Sequence, residues 1–388
     1  MMIKTFKIEP SVARIVDKST LLKVLNYIDS GVVKTPCLVV NGERVVRNLS
    51  LLGSRVRNSK VFYAVKANPS IEVLRLVDSL GGGFEISSDG ELRVLAQLGV
   101  APERIISSNP VKTMAFIRQA ADYGIRRYAF DSGTEINKLA RYCGGCRVYV
   151  RLSIPNEGSE WPLSKKFGVE IDEAFELLLQ ARRQGLEPCG ITFHVGSQCN
   201  NIYNWNIALD KAKLLYTRAQ EAGIALSLLN IGGGYPVKYT REALAIDTIE
   251  RHIDVLIRER FADEVEVFIE PGRVVVGDAG IIVAGVTGKA DRLDGKWLYI
   301  DVGVFNGLME SVGGIRYTYV VETTPYTGGL TNWILAGPSC DSFDVIDRNV
   351  SLAQPQVGDL LLILSAGAYT TSYASEFNGC AIPDTIIV

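Results

Sequence analysis

Lys60-Val-Phe-Tyr-Ala-Val-Lys66-Ala-Asn-Pro69 decides the fold. Val61 to Val65 read as a buried strand, apolar and rich in β-branched and aromatic residues, and Lys66 reads as its last residue. An ammonium at the end of such a strand is costly to desolvate unless paired, so the position favours the neutral amine. That amine can condense with an aldehyde. Alone, a strand-end lysine more often snorkels to solvent, and only its surroundings give it a further meaning.

Outward from this stretch the pattern is regular. Apolar runs also start near Gly83, Ile105, Tyr128, Arg147, Gly190, Leu226 and Val265, and amphipathic segments such as Ile71–Leu80, Glu91–Leu98 and Glu173–Arg182 lie between them. Strands alternating with helices predict a parallel α/β domain. The first five runs begin 19 to 23 residues apart and the later ones 36 to 43 apart, room for one helix and a loop per unit. An eight-stranded (β/α)8 barrel of the TIM type fits best, with its site at the carboxyl ends of the strands. A doubly wound sheet is the alternative, but no G-x-G-x-x-G follows the first strand. Before the barrel, residues 1–36 hold a polar opening and a helix over Thr20–Asp29, ended by Pro36. Beyond Pro271 the helical pattern disappears, and short apolar runs at Gly280–Val286, Trp297–Asp301, Trp333–Ala336, Asp359–Leu364 and Thr385–Val388 predict a mostly β second domain. The expected division is an N-terminal segment 1–36 packing with the β domain, a barrel over 37–270 and the β domain over 271–388.

With 388 residues, 47% hydrophobic and 22% charged, the chain has the composition of a soluble globular protein of about two domains. A net charge of −2 offers no basic excess to neutralise phosphates, which argues against nucleic acid or a membrane surface as partner and for a small molecule. The opening residues lack the apolar core of a signal peptide and no run long enough to span a membrane follows, so a cytoplasmic protein is expected. Seven cysteines show no disulfide-framework spacing. Cys143-Gly-Gly-Cys146 is a lone C-x-x-C without the second pair a zinc site needs, and reads as a surface turn. No metal is expected.

Candidate chemistry falls at the predicted strand ends. His194, in Phe193-His-Val-Gly-Ser197, is one of 2 histidines; it suits stacking on a flat aromatic ring, or a core position satisfied by a neighbour. His252 reads as a surface helix residue. Asn230-Ile-Gly232-Gly233-Gly234-Tyr-Pro236 lets several backbone N–H groups converge on a phosphate, or simply makes a tight turn. Glu270-Pro-Gly-Arg273 ends the eighth strand; a carboxylate there would keep a pyridine nitrogen protonated, while Arg273 would orient Glu270, bind phosphate or form a plain ion pair.

Taken with Gly337-Pro-Ser-Cys340-Asp341-Ser342, Gly367-Ala-Tyr369-Thr-Thr-Ser-Tyr373, Glu376-Phe-Asn-Gly379, Tyr63–Asn68, Phe193–Gln198 and Trp161-Pro-Leu-Ser-Lys-Lys-Phe-Gly168, this order resembles the fold-type III decarboxylases that use pyridoxal 5′-phosphate (PLP), and among them the bacterial lysine/ornithine decarboxylases. The resemblance spans nearly the whole chain. It implies a barrel that carries PLP and a head-to-tail homodimer in which the β domain of a second subunit completes each site. It also implies roles. Lys66 matches the Schiff-base lysine, His194 the residue stacked on the ring, and Glu270 the partner of the pyridine nitrogen. Ser197, Gly233, Gly234, Arg273 and Tyr369 match the phosphate-binding set, and Arg151 matches a cofactor contact. Cys340 matches the residue that helps return a proton to the product, and Asp341 a contact to the distal amine of the substrate, with Phe377 nearby.

Two positions depart from the pattern. Glu85, in Gly83-Phe-Glu-Ile-Ser87, stands where these enzymes usually have Asp, a longer reach with the same charge. In Asp301–Arg316, the segment matching the part that reads the substrate's far end, relatives tend to carry an acid about where Gly313 and Gly314 sit; Glu310 is the residue that would compensate. The expected activity is decarboxylation of a basic amino acid, L-ornithine to putrescine and CO2. The alternatives are a decarboxylase of a modified, larger or carrier-bound amino acid and, from another class, a non-catalytic binding protein like the antizyme inhibitors.

Overall fold

In the computed structural model, residues 5, 6, 8, 12–161, 166–261, 265–323 and 329–388 are described; Pro162–Lys165 of the Trp161–Gly168 motif lie outside them. Two units make up the chain. One comprises Val46–Pro236 and Leu244–Gly272, the other Met1–Val45, Val237–Ala243 and Arg273–Val388. The cut at residue 45 differs from the expected barrel start at 37. Cys37–Val40 (β1) is a fully buried strand that pairs antiparallel with Gly280–Arg292 and parallel with Asp384–Ile387, so its backbone hydrogen bonds tie it to the β unit.

All eight expected barrel strands are present: β2 (Ser59–Ala64), β3 (Gly83–Glu85), β4 (Ile105–Ile106), β5 (Arg127–Phe130), β6 (Arg147–Arg151), β7 (Glu187–Thr192), β8 (Leu228–Asn230) and β9 (Glu266–Ile269). They form one parallel sheet in the order β4-β3-β2-β9-β8-β7-β6-β5. A parallel bridge between Ser107 and Tyr128 joins its two ends and closes the barrel. Phe62, Ile106, Ala129, Tyr149, Cys189, Leu228 and Phe268 meet in a buried cluster that fills the barrel interior, with the rings of Phe62 and Phe268 at 4.4 Å. Truncating one of these rings costs about 3–5 kcal/mol in a typical core.

Helices between the strands start at caps legible in sequence. Ser88, Thr113 and Ser132 each accept a hydrogen bond from the backbone N–H three residues on. The helix Gly133–Tyr142 ends at Cys143, whose carbonyl accepts from the Cys146 N–H at 3.0 Å. The expected turn is there, but its thiols are buried, at 2% and 0% exposure; only Gly144 and Gly145 face solvent.

The β unit is a sheet built around the long strand β10 (Gly280–Arg292), which is followed by β11 (Gly295–Ile300), β12 (Tyr319–Thr323), β13 (Thr331–Ala336), β14 (Val345–Leu352), β15 (Leu360–Ile363) and β16 (Asp384–Ile387). The first half of β10 pairs with β15 and β1, and its second half with β11 beyond an irregularity at Val286/Gly288. The expected N-terminal helix is Lys18–Asp29, capped by Asp17, and its buried Leu21 and Val24 join the core made by Cys37, Val39, Ile281, Val283 and Leu362. Among the described residues no helix is long and apolar enough to cross a membrane, and no group of three or more His, Cys, Asp or Glu is placed to hold a metal ion.

Candidate active site

The carboxyl ends of the barrel strands bring the expected barrel residues together. β2 ends at Ala64, so Lys66 is not its last residue but sits in the 3-10 turn Val65–Ala67 that follows. The turn lifts its side chain out of the core: it is 52% exposed and its amine lies 3.1 Å from Glu85 Oε2. Lys66 is therefore held by an ion pair, not by the desolvation that a strand position would impose. Glu85, at the end of β3, is 1% exposed. Its Oε1 accepts from Ser87 Oγ and the Ser108 N–H, both at 3.4 Å.

Glu270, just past β9, faces a polar set that sequence reading missed. Its Oε1 accepts from Asn230 Nδ2 at 2.5 Å and from Ser108 Oγ, and Ser108 Oγ also meets the Tyr149 hydroxyl at 2.8 Å. Burial, and then the nearby Glu85 charge, push the Glu270 carboxyl up to about 7, so it holds or releases a proton around neutrality. A second carboxyl, Glu91, is likewise raised to about 7 by burial and by Glu85. It accepts from the Ser87 N–H at 2.6 Å while Ser88 caps its helix. The spacing Ser88-x-x-Glu91, a capping-box signature, was the signal in the sequence; Ser108 and Asn230 carried none.

His194 follows β7. Its Nδ1 accepts from the Gly196 N–H at 3.0 Å, which assigns the ring proton to Nε2. Burial, then the Arg151 and Lys66 charges, hold it down to about 3, so the ring is neutral. Arg151, the last residue of β6, has its pKa lowered by burial and lies over the Phe167 ring at 5.5 Å. Asn230, at the end of β8, ties Glu270 to the glycine stretch, because its Oδ1 accepts from the Gly232 N–H at 3.0 Å. There is no room for side chains on that stretch. A Cβ on Gly232, Gly233 or Gly234 would lie 2.4, 2.5 or 2.6 Å from the backbone oxygens of Phe193, Glu270 and Gly196. Ser197 opens the short strand Ser197–Cys199, which pairs with Ser159–Trp161.

The other candidates belong to the β unit. Arg273 Nη1 and Nη2 donate to the two carboxylate oxygens of Glu310 at 2.7 and 2.6 Å, and Nη1 also to the Tyr239 hydroxyl at 2.5 Å. Glu310, the acid expected to compensate at the substrate's distal ammonium, lies in the 3-10 turn Met309–Ser311, with both of its carboxylate oxygens in this ion pair. Tyr369 lies against the Arg273 guanidinium at 4.7 Å with φ +56°, a left-handed backbone a tyrosine rarely adopts and one that marks functional sites. Cys340 is exposed, with its Sγ and N–H both directed at Asn378 Oδ1, at 3.3 and 3.1 Å. Asp341 is exposed and accepts from the Phe343 N–H at 2.8 Å. Phe377 packs on Phe305 at 4.7 Å with 41% of its surface open.

Comparison with known proteins agrees with this chemistry. Residues 43–277 match the family described as pyridoxal-dependent decarboxylase, pyridoxal binding domain. The chain is 35% identical over 360 residues to a lysine/ornithine decarboxylase of Selenomonas ruminantium, covering 92% of this chain and 90% of the relative. It is 33% identical over 361 residues to antizyme inhibitor 2 of Xenopus laevis, covering 87% and 77%. The crystal structure of a lysine/ornithine decarboxylase from Vibrio vulnificus complexed with cadaverine superposes with a TM-score of 0.86 at 30% identity, covering 96% of this chain and 100% of that one. The barrel residues fit PLP: an amine on a turn, a flat neutral imidazole, a carboxyl poised near neutrality for a ring nitrogen and a glycine stretch that excludes side chains. The chain belongs to the pyridoxal-dependent decarboxylases, with PLP as its cofactor.

Proposed function

We propose that the protein decarboxylates a basic α-amino acid, L-ornithine to putrescine and CO2. The observation that carries this reading is the Lys66, Glu85 and Glu270 arrangement, an amine and two carboxyls with one of them poised near neutrality. Lys66 would be the amine that holds the cofactor, and Glu85, 3.1 Å from it, would pair with it whenever it carries a proton. Glu270, fixed by Asn230 and Ser108, holds its proton where a pyridine nitrogen can share it. His194, neutral and locked by Gly196, offers a flat face without adding charge. Bound PLP supplies the electron sink that takes up the pair left when CO2 departs. Cys340 is the group proposed to return a proton to the α-carbon, and Asp341 the one to meet the distal ammonium. Ser197, Gly233, Gly234, Arg273 and Tyr369 are proposed to hold the phosphate, Arg151 to contact the cofactor, and Phe377 to line the substrate.

In this reading the enzyme is a cytoplasmic head-to-tail homodimer whose sites combine the barrel of one subunit with Cys340 and Asp341 of the other. The exposure of both residues supports that arrangement. A modified, larger or carrier-bound amino acid is the second reading, favoured by one observation: Glu310 is committed to Arg273, and Gly313-Gly314 carries no carboxylate. A non-catalytic role like that of an antizyme inhibitor is disfavoured by the complete barrel set. The deciding experiment is CO2 release from the PLP-loaded enzyme with ornithine, lysine, arginine and diaminopimelate. Turnover of ornithine or lysine supports the first reading, and negligible turnover of every free amino acid supports the second.

A further inference from the structure

At the amino-terminal end of the barrel, where β5 and β6 begin and far along the strands from Lys66, two thiols share one turn. Cys143 closes the helix Gly133–Tyr142 and Cys146 directly precedes β6. The Cys146 N–H donates to the Cys143 carbonyl at 3.0 Å, a four-residue turn that keeps the two Cα atoms within about 7 Å, close to the span a disulfide bridges. The Cys143 thiol donates to the Ile125 carbonyl at 3.9 Å. Arg126 Nη1 donates to Cys143 Sγ at 3.4 Å, although Cys143 caps the carboxyl end of a helix, where the backbone dipole disfavours a thiolate. The Tyr128 hydroxyl, which donates to the Ile125 carbonyl at 2.9 Å, adjoins the same sulfur. The two cysteines are buried, but the residues between them, Gly144 and Gly145, are exposed and carry no side chains, so local opening of this turn is what brings an oxidant to Cys143.

We propose that Cys143 and Cys146 form a redox-active dithiol, with Cys143 as the attacking thiol and Arg126 as the residue that holds its thiolate, and that low-molecular-weight disulfides are its oxidants. The Cys143 thiolate attacks one sulfur of the disulfide RSSR, forms a mixed disulfide and releases RS⁻. Cys146 then loses its proton and attacks Cys143 Sγ, releasing the second RS⁻. Two protein thiols are oxidised to one disulfide, RSSR is reduced, and the two protons lost by the protein end on two RSH. The adjacent Cys146 thiol and the Arg126 guanidinium, working against burial, hold the Cys143 thiol down to about 6, while Cys146 is pushed up. That division suits an attacking and a resolving thiol.

The test uses the full chain equilibrated in glutathione buffers from reducing to oxidising, quenched in acid, alkylated in denaturant and cut with trypsin. The peptide Tyr142–Arg147 contains both cysteines. It is expected to pass from doubly alkylated to unalkylated and two hydrogens lighter than the dithiol. Cys146→Ser is expected to stop at a glutathione adduct on Cys143, and Arg126→Gln to slow alkylation of Cys143 in the native protein near neutral pH. A Tyr142–Arg147 peptide that stays doubly alkylated while exposed Cys340 takes up glutathione overturns the proposal. An unmodified Cys143 in Cys146→Ser overturns its role as attacking thiol, and an unchanged alkylation rate in Arg126→Gln overturns the role of the guanidinium.

Discussion

Arg273 and Glu310 face each other fork to fork, two parallel N–H···O bonds of 2.7 and 2.6 Å between side chains that are 3% and 2% exposed. A planar guanidinium matched this way to a carboxylate is a geometrically specific pair. Removing one partner strands the other charge in the interior. Glu310→Gln is expected to lower stability by about 3–5 kcal/mol, read as a fall in the urea midpoint. A variant of unchanged stability with a raised KM would instead return Glu310 to the substrate.

With Glu310 so engaged, the segment after it has room for a new acid. Gly314 sits at φ +105°, where a side chain is strained, so the substitution belongs at the exposed Gly313. Gly313→Asp is expected to raise kcat/KM for ornithine by roughly 10- to 100-fold, the worth of a charge-assisted hydrogen bond, mainly through KM. Steady-state kinetics with ornithine check it; an unchanged KM would mean that the substrate tail does not reach this turn.

Lys66 is expected to give the PLP-loaded protein a yellow colour that borohydride removes with permanent labelling of one lysine. Lys66→Ala is expected to bind PLP without that covalent label. Peptide mapping after reduction distinguishes Lys66 from every other lysine.

Mixing Lys66→Ala chains with Cys340→Ala chains, each nearly inactive, is expected to restore activity, because a mixed dimer built head to tail has one site with both residues intact. Activity that stays at the level of the separate variants after demonstrated subunit exchange would place each site within one chain.

Glu270 makes the cofactor-free protein sensitive to pH. The unfolded chain releases this proton near the ordinary value of 4.5, whereas the folded chain keeps it up to about 7. The folded state binds more protons in between, so stability falls as pH rises from 4.5 to about 7 and the loss is complete above that. Glu91 acts in the same direction over the same window. Glu270→Gln is expected to flatten that fall in part, seen as thermal midpoints of wild type and variant that diverge between pH 4.5 and 7; parallel curves would show that the Glu270 proton is not retained on folding.

The barrel was legible because each of its strands announces itself locally: short apolar runs such as Tyr128–Phe130 and Val267–Ile269 are separated by helices whose caps stand in the sequence. Strands of the β unit were read less completely. Cys37–Val40 and Val345–Leu352 owe their state to partners far away in the chain, and the second alternates with solvent on one face. In the site, residues with charge or unusual backbone freedom stood out, among them Lys66, Glu270 and Gly232–Gly234. Ser108 and Asn230 did not, since a neutral polar residue gains its meaning from the carboxylate it faces, and only folding brings Glu270 to them. The same holds for Glu310, whose charge could be read but whose counter-ion could not.

Strand β1 has a consequence for biosynthesis. Its four apolar residues leave the ribosome early, yet the strands that flank it, β10 and β16, begin at Gly280 and Asp384. At ordinary translation speeds the nearer of these follows on the order of 10 to 50 s later, and throughout that interval Cys37–Val40 has no native hydrogen-bonding neighbour.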